Sequence, residues 1–172
     1  MVYHADDEFI QKVNQNLGIA HKVCRLYFAD VADREDAMQE MMYQLFKSYE
    51  SFNGRSKFST WMYSVCLNTA LTYRRNNKNI NKESLDLRHH NISDQPPGNT
   101  DEAISHLFDA IGMLSPLNKA IILLYLENLT YEEIATITGV TKSNVSVRLV
   151  RIKRELESEL RKKFKSIEDV NT

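Results

Sequence analysis

Between Lys142 and Lys165 stand nine lysines and arginines (142, 148, 151, 153, 154, 161, 162, 163 and 165) and three glutamates (155, 157 and 159), a net charge of +6. Such a run suits a phosphate backbone, which attracts cations whatever its sequence. Val145, Leu149, Ile152 and Leu156 recur every three or four residues within it. One side of a helix is therefore apolar, and Lys142, Ser143, Asn144, Ser146, Val147, Arg148 and Arg151 are left for the other. Thr141 is placed to N-cap this helix. Upstream, Thr130 and Glu133 have capping-box spacing, and Gly139 can take the positive φ of a tight turn. Two capped helices joined by a glycine turn predict a helix-turn-helix, its second helix offered to a DNA major groove. Arg148 can bond guanine bidentately, while Lys142 and Arg151 suit phosphates. An αα-hairpin that merely packs would leave the basic face without a purpose.

Two more groups of residues could recognise a partner. Asp36, Gln39 and Glu40 stand at i, i+3 and i+4, so they share a helical face. Acidic and polar, that face suits an arginine-rich protein surface better than DNA, although a merely solvated face has the same pattern. Asn53-Gly54-Arg55-Ser56-Lys57-Phe58 reads as a turn with two bases, followed by a helix carrying Trp61, Tyr63, Asn68, Tyr73, Arg74 and Arg75. Bases interleaved with aromatics suit single-stranded DNA, where stacking and phosphate contacts combine. Trp61 reads as core that holds its helix. Asn68, a poor helix former in mid-helix, points to a role of its own.

Periodicity supplies the elements that must position these groups. A first helix is expected over Asp7–Phe28, with Phe9, Val13, Leu17, Ala20, Cys24 and Tyr27 as its stripe, ended by Asp30 to Asp33. A second, Arg34–Tyr49, should turn Ala37, Met38, Met41, Leu45 and Phe46 inward. A third, from Ser59 to about Arg75, should bury Trp61, Met62, Val65 and Leu71. Six asparagines and a Pro-Pro-Gly between Asn76 and Thr100 mark a flexible linker. Helix resumes from Asp101 to Leu114, and Ser115-Pro116 starts another that reaches Glu127. The expected fold is all-α: a domain over 1–78, a linker over 79–100, and a helix-turn-helix domain over 101–172 whose second helix runs to about Leu156.

The chain's net charge of −1 would by itself argue against nucleic acid, but the charge is segregated. Residues 1–50 carry nine acids and five bases; residues 51–82 carry six bases and no acid. Separate partner surfaces follow. Cys24 and Cys66 fall on apolar helix positions and read as buried thiols in a reducing compartment. The five histidines show no metal-ligand spacing. No signal segment and no membrane-length apolar run is present, so a cytoplasmic location without membrane insertion is expected. No phosphate loop, nucleophile signature or carboxylate cluster points to an enzyme or a cofactor.

The segment Asp36–Arg75, with Asp36-x-x-Gln39-Glu40, Phe52-Asn53-Gly54, Phe58-x-Thr60-Trp61 and Asn68 in order, resembles the second region of extracytoplasmic function (ECF) sigma factors of bacterial RNA polymerase. Leu114–Leu160 is similar to their fourth region. The resemblance implies a transcription initiation factor, with core RNA polymerase, promoter DNA and an anti-sigma factor, soluble or membrane-bound, as partners. Asp36, Gln39 and Glu40 would meet the clamp helices of the largest polymerase subunit. Asn53 to Phe58 would take a base flipped from the −10 element, with Asn68, Arg74 and Arg75 beside it. Thr141, Lys142, Ser143, Asn144, Ser146, Val147, Arg148 and Arg151 would face the −35 element. Ser146 stands where the family commonly has a base, so promoter preference does not carry over. The competing class, a dimeric repressor or activator, would need a ligand pocket or dimer heptad that the sequence does not show.

Overall fold

The computed structural model describes residues 3–78 and 99–170, and among these every regular element is helical. The chain divides into two compact units between His89 and His90. Residues 79–98, most of the expected linker, lie outside the described residues. At the linker's expected end, residues 99 and 100 already belong to a helix.

The first unit holds α1 (Tyr3–Gln15), α2 (Leu17–Tyr27), α3 (Val31–Ser48) and α4 (Phe58–Lys78). The single helix expected over Asp7–Phe28 is in fact two. Asn16 leaves the helical region at φ −117°, ψ 12°. Its Nδ2 donates to the Lys12 carbonyl at 2.8 Å, the acceptor a continuous helix would give to the Asn16 amide. That amide reaches the Val13 carbonyl instead, at 3.0 Å. A side chain has outcompeted the backbone ladder. Most of the stripe survives the break: Phe9, Val13, Ala20, Cys24 and Tyr27 are buried, while Leu17, next to Asn16, is half-buried.

Asp30 starts α3 rather than ending α2, accepting from the Ala32 and Asp33 amides at 2.8 and 3.4 Å. The helix therefore begins at Val31, three residues before the expected Arg34. Arg34 donates to the carbonyls of Phe28 and Ala29 at 2.8 and 2.9 Å, satisfying groups that α2 leaves open at its end. Ala37, Met41 and Leu45 are buried as expected, but Phe46 is 59% exposed, its ring edge against Phe9. On α4 the buried apolar residues are Met62, Tyr63, Cys66, Leu67 and Ala70, with Thr60 and Thr69 buried beside them, while Trp61, Val65 and Leu71 are half-buried. Helices α2, α3 and α4 pack pairwise around one core.

The second unit holds α5 (Asn99–Gly112), α6 (Pro116–Leu126), α7 (Tyr131–Thr138) and α8 (Lys142–Val170). Ser115 caps α6, and Pro116 occupies its first turn, where no amide is missed. Ile121, Ile122, Leu123 and Leu124 are all buried, so α6 is the central helix, with α5, α7 and α8 packed against it. The last helix does not end near Leu156. Its second half packs on α5, where Lys163 pairs with Asp109 at 2.7 Å and Phe164 meets His106 edge-on. Among the described residues no helix is long and apolar enough to cross a membrane, and no three potential metal ligands cluster.

Burial pushes the thiols up, Cys24 to about 11 and Cys66 to about 12, the latter helped by the neighbouring Cys24. An unfolded thiol ionises near pH 8.5, so above that pH the unfolded chain loses protons that the fold retains. Stability should fall as pH rises from about 9 towards 12, and replacing both cysteines with alanine should flatten that slope in urea unfolding. At Gly139 (φ +73°) a Cβ would meet nothing within 4 Å, so only backbone strain opposes a side chain. Gly139→Ala should cost about 1–2 kcal/mol in denaturant unfolding. Gly18→Ala, inside α2 and equally unobstructed, should instead gain about 0.5 kcal/mol.

Candidate nucleic-acid interface

Thr130, Glu133 and Gly139 build the helix-turn-helix as their types suggest. The Glu133 amide donates to Thr130 Oγ1 at 3.2 Å, and the Thr130 amide to Glu133 Oε2 at 2.8 Å. Gly139 closes α7 in the left-handed region, its amide reaching the Ala135 carbonyl at 2.9 Å. Thr141 Oγ1 then accepts from the Asn144 amide at 3.2 Å and caps α8. Val145, Leu149, Ile152 and Leu156 are buried, which fixes the rotation of α8 about its axis.

Seven of the eight residues expected on the DNA face are exposed: Thr141, Lys142, Ser143, Asn144, Ser146, Val147 and Arg151. Arg148 is not. It is half-buried on the flank next to α6 and donates to Asn118 Oδ1 at 3.1 Å. Lys142 pairs with Glu132 of α7, and that ammonium holds the Glu132 carboxyl below the usual carboxylate range. Both side chains are well exposed, so the pair holds Lys142 only weakly. Lys153 lies over the Tyr125 ring, 4.1 Å from its centroid. Val147, Arg151 and Arg154, spaced four and three residues apart, form an exposed row with the half-exposed Val150 beside it. Sequence reasoning omitted Arg154 and Val150, because it ended the DNA face at Arg151 and took the helix to stop near Leu156.

In the first unit, residues 53–57 are exposed on an aromatic base. Asn53 Oδ1 accepts from the Arg55 amide at 3.2 Å, and Gly54 takes φ +70°, a conformation that favours glycine. Phe52 and Phe58, the residues that flank the loop, meet edge to face with centroids 5.7 Å apart. Each lies 5.2 Å from Trp61, and Tyr49 stacks near Phe52 at 6.3 Å. Trp61, expected as core, is half-buried among these rings. Phe58 is part of that group and only half-exposed.

Along α4, Asn68 and Arg75 are exposed and seven residues apart, hence on one face. Thr72, also exposed, lies between them and was not singled out from sequence; its spacing of four from Asn68 was the available signal. Arg74 lies off this row and is half-buried. On α3, Asp36 and Gln39 are exposed, and the half-buried Glu40 accepts from Gln44 Nε2 at 2.8 Å. Tyr43, 56% exposed one turn further on, extends that face.

Two family models match this chain: Sigma-70 region 2 over residues 13–80, and Sigma-70, region 4 over residues 106–156. The ECF RNA polymerase sigma-E factor of Haemophilus influenzae is 33% identical over 141 residues, which span 74% of this chain and 75% of that protein. The sigma-E factor of Escherichia coli K12 is 27% identical over 155 residues, 81% of each chain. Of solved structures, the Bartonella quintana sigma factor RpoE in complex with the anti-sigma factor NepR has a similar fold, with a TM-score of 0.75 over 90% of this chain and 97% of that one, at 20% identity. CnrH in complex with the cytosolic domain of CnrY gives a TM-score of 0.63 over 90% and 88%, at 16% identity.

Proposed function

This chain belongs to the ECF sigma factors, a group of transcription initiation factors, and from that membership we propose how its two units divide the work at a promoter. The acidic face of α3 docks core RNA polymerase. The loop at residues 53–57 receives a base extruded from the −10 element, and the exposed face of α8 reads the −35 element as duplex. The observation that carries this division is the coexistence of regions 2 and 4 in one chain, each with its own exposed basic surface. A base leaving the stack must be accepted by a surface that does not repel its phosphates. Residues 51–82, with six bases and no acid, supply that condition.

Within α8 the base-reading role is best given to Arg151. Arg148, the sequence-based choice, would have to release Asn118 before it could reach a base edge. Arg151 is exposed, with Arg154 one turn further along the same row. Lys142, near the start of the helix, suits a phosphate. A relative of known fold was solved with an anti-sigma factor, and an inhibitor of that kind is the natural regulator of this chain too.

Run-off transcription on sheared genomic DNA, with bacterial core polymerase and mapping of transcript ends, tests the assignment. Transcripts with defined starts should appear only when the protein is added; their absence would contradict the role. Replacing Asp36 and Gln39 with arginine should weaken association with core polymerase by about 2–5 kcal/mol, with folding intact. Arg151→Ala should cost about 1–3 kcal/mol on the mapped −35 sequence and much less on random DNA, whereas Lys142→Ala should weaken both alike. A bound-sequence selection unchanged by Arg151→Ala would return the reading role to Arg148.

A further inference from the structure

Helix α1 reaches the base of the loop through one cation. Lys12 Nζ lies 5.9 Å from the centroid of Tyr49, 5.8 Å from that of Phe52 and 6.0 Å from that of Phe58. Glu8, one turn earlier, holds the same ammonium at 2.8 Å. The bond to Glu8, followed by one to Tyr49, keeps the ammonium's pKa above its ordinary value. Phe9 of the same helix adds a ring 4.8 Å from Tyr49.

Those three rings are not an arbitrary set. Phe52 and Phe58 are the two feet of the loop at residues 53–57, and Tyr49 packs on both as well as on Trp61. Each cation–ring distance is at the outer edge of the attractive range, so each contact is weak alone. Together they tie one ammonium to both ends of a five-residue segment. An ordinary surface ion pair between Glu8 and Lys12 would need no rings at all. The region 2 match begins at residue 13, so this connection is made by residues that precede the matched segment.

We infer that Lys12 is a positioning residue for strand opening: it clamps the aromatic feet of the loop at residues 53–57 and so makes α1 part of the melting site. The inference rests on the proposed role of that loop as the acceptor of an extruded base. Clamped feet present the loop in one conformation, so the extruded base meets a ready-made acceptor rather than one that must first be ordered.

The test uses the full-length protein with core polymerase on a promoter mapped by run-off transcription, comparing Lys12→Met, Lys12→Arg and wild type. Trp61, the chain's single tryptophan, lies beneath both feet and reports on the clamp directly. Lys12→Met should increase acrylamide quenching of Trp61. It should also slow the appearance of permanganate-reactive thymines on duplex promoter by about tenfold. A promoter carrying a preformed bubble should restore normal complex formation, and Lys12→Arg should restore opening on the duplex. Wild-type quenching and opening in Lys12→Met would overturn the inference. So would an equal loss on duplex and bubble that arginine does not rescue, since that pattern marks a purely structural lysine. A Gly-Ser replacement of residues 53–57 separates the two levels. If it opens duplex normally, the loop's proposed role fails; if it is defective while Lys12→Met is normal, the Lys12 inference fails alone.

Discussion

Burial of Val145, Leu149, Ile152 and Leu156 against the rest of the second unit fixes the rotation of α8, and with it the side chains that stay exposed. A helix rotated by one residue would bury a different stripe and present a different face. The same constraint acts in the first unit. Met41 and Leu45 hold α3 with Asp36 and Gln39 outward, and Met62, Cys66 and Leu67 hold α4 with Asn68, Thr72 and Arg75 outward. Each unit has only a few helices, and each of these three helices has one stripe to hide. The polar faces are consequences of that packing.

Charge then distinguishes one face from another. A net charge of −1 conceals an acidic front, an acid-free middle and a basic tail. Lys142 and Arg151, the cations of α8 proposed for DNA, are only lightly committed within the protein. Lys142 has an exposed glutamate, which holds it only weakly, and Arg151 points into solvent. Arg148 differs because it is partly desolvated and bonded to Asn118, which suits a residue that fastens α8 to α6.

Features carried by local chemistry were legible in the sequence. The Thr130–Glu133 box, Gly139, the Thr141 cap and the Ser115-Pro116 start all involve partners within four residues, so composition and spacing suffice. What escaped the sequence depends on competition or on distant contacts. The break at Asn16 was hidden because the apolar stripe runs through it in phase, while a side-chain amide takes a backbone acceptor. Phe46 kept the helical period of a core residue yet faces outward, with Phe9 as its ring neighbour. Arg148 meets a residue thirty positions away, and Lys12 meets rings at 49, 52 and 58; neither separation has a period to read.

The proposed division of labour puts a melted strand on the first unit and a duplex on the second. Site-specific crosslinking tests it most directly, with a photoreactive amino acid at Ser56 or Ser146 in the assembled promoter complex. Both side chains are exposed, so neither probe disturbs a core. Ser56 should crosslink to the non-template strand within the permanganate-reactive segment, and Ser146 to unmelted duplex upstream of it. Crosslinks from both positions to the same unmelted duplex, or from Ser146 to two symmetric half-sites without polymerase, would contradict the claim and favour a dimeric operator-binding protein.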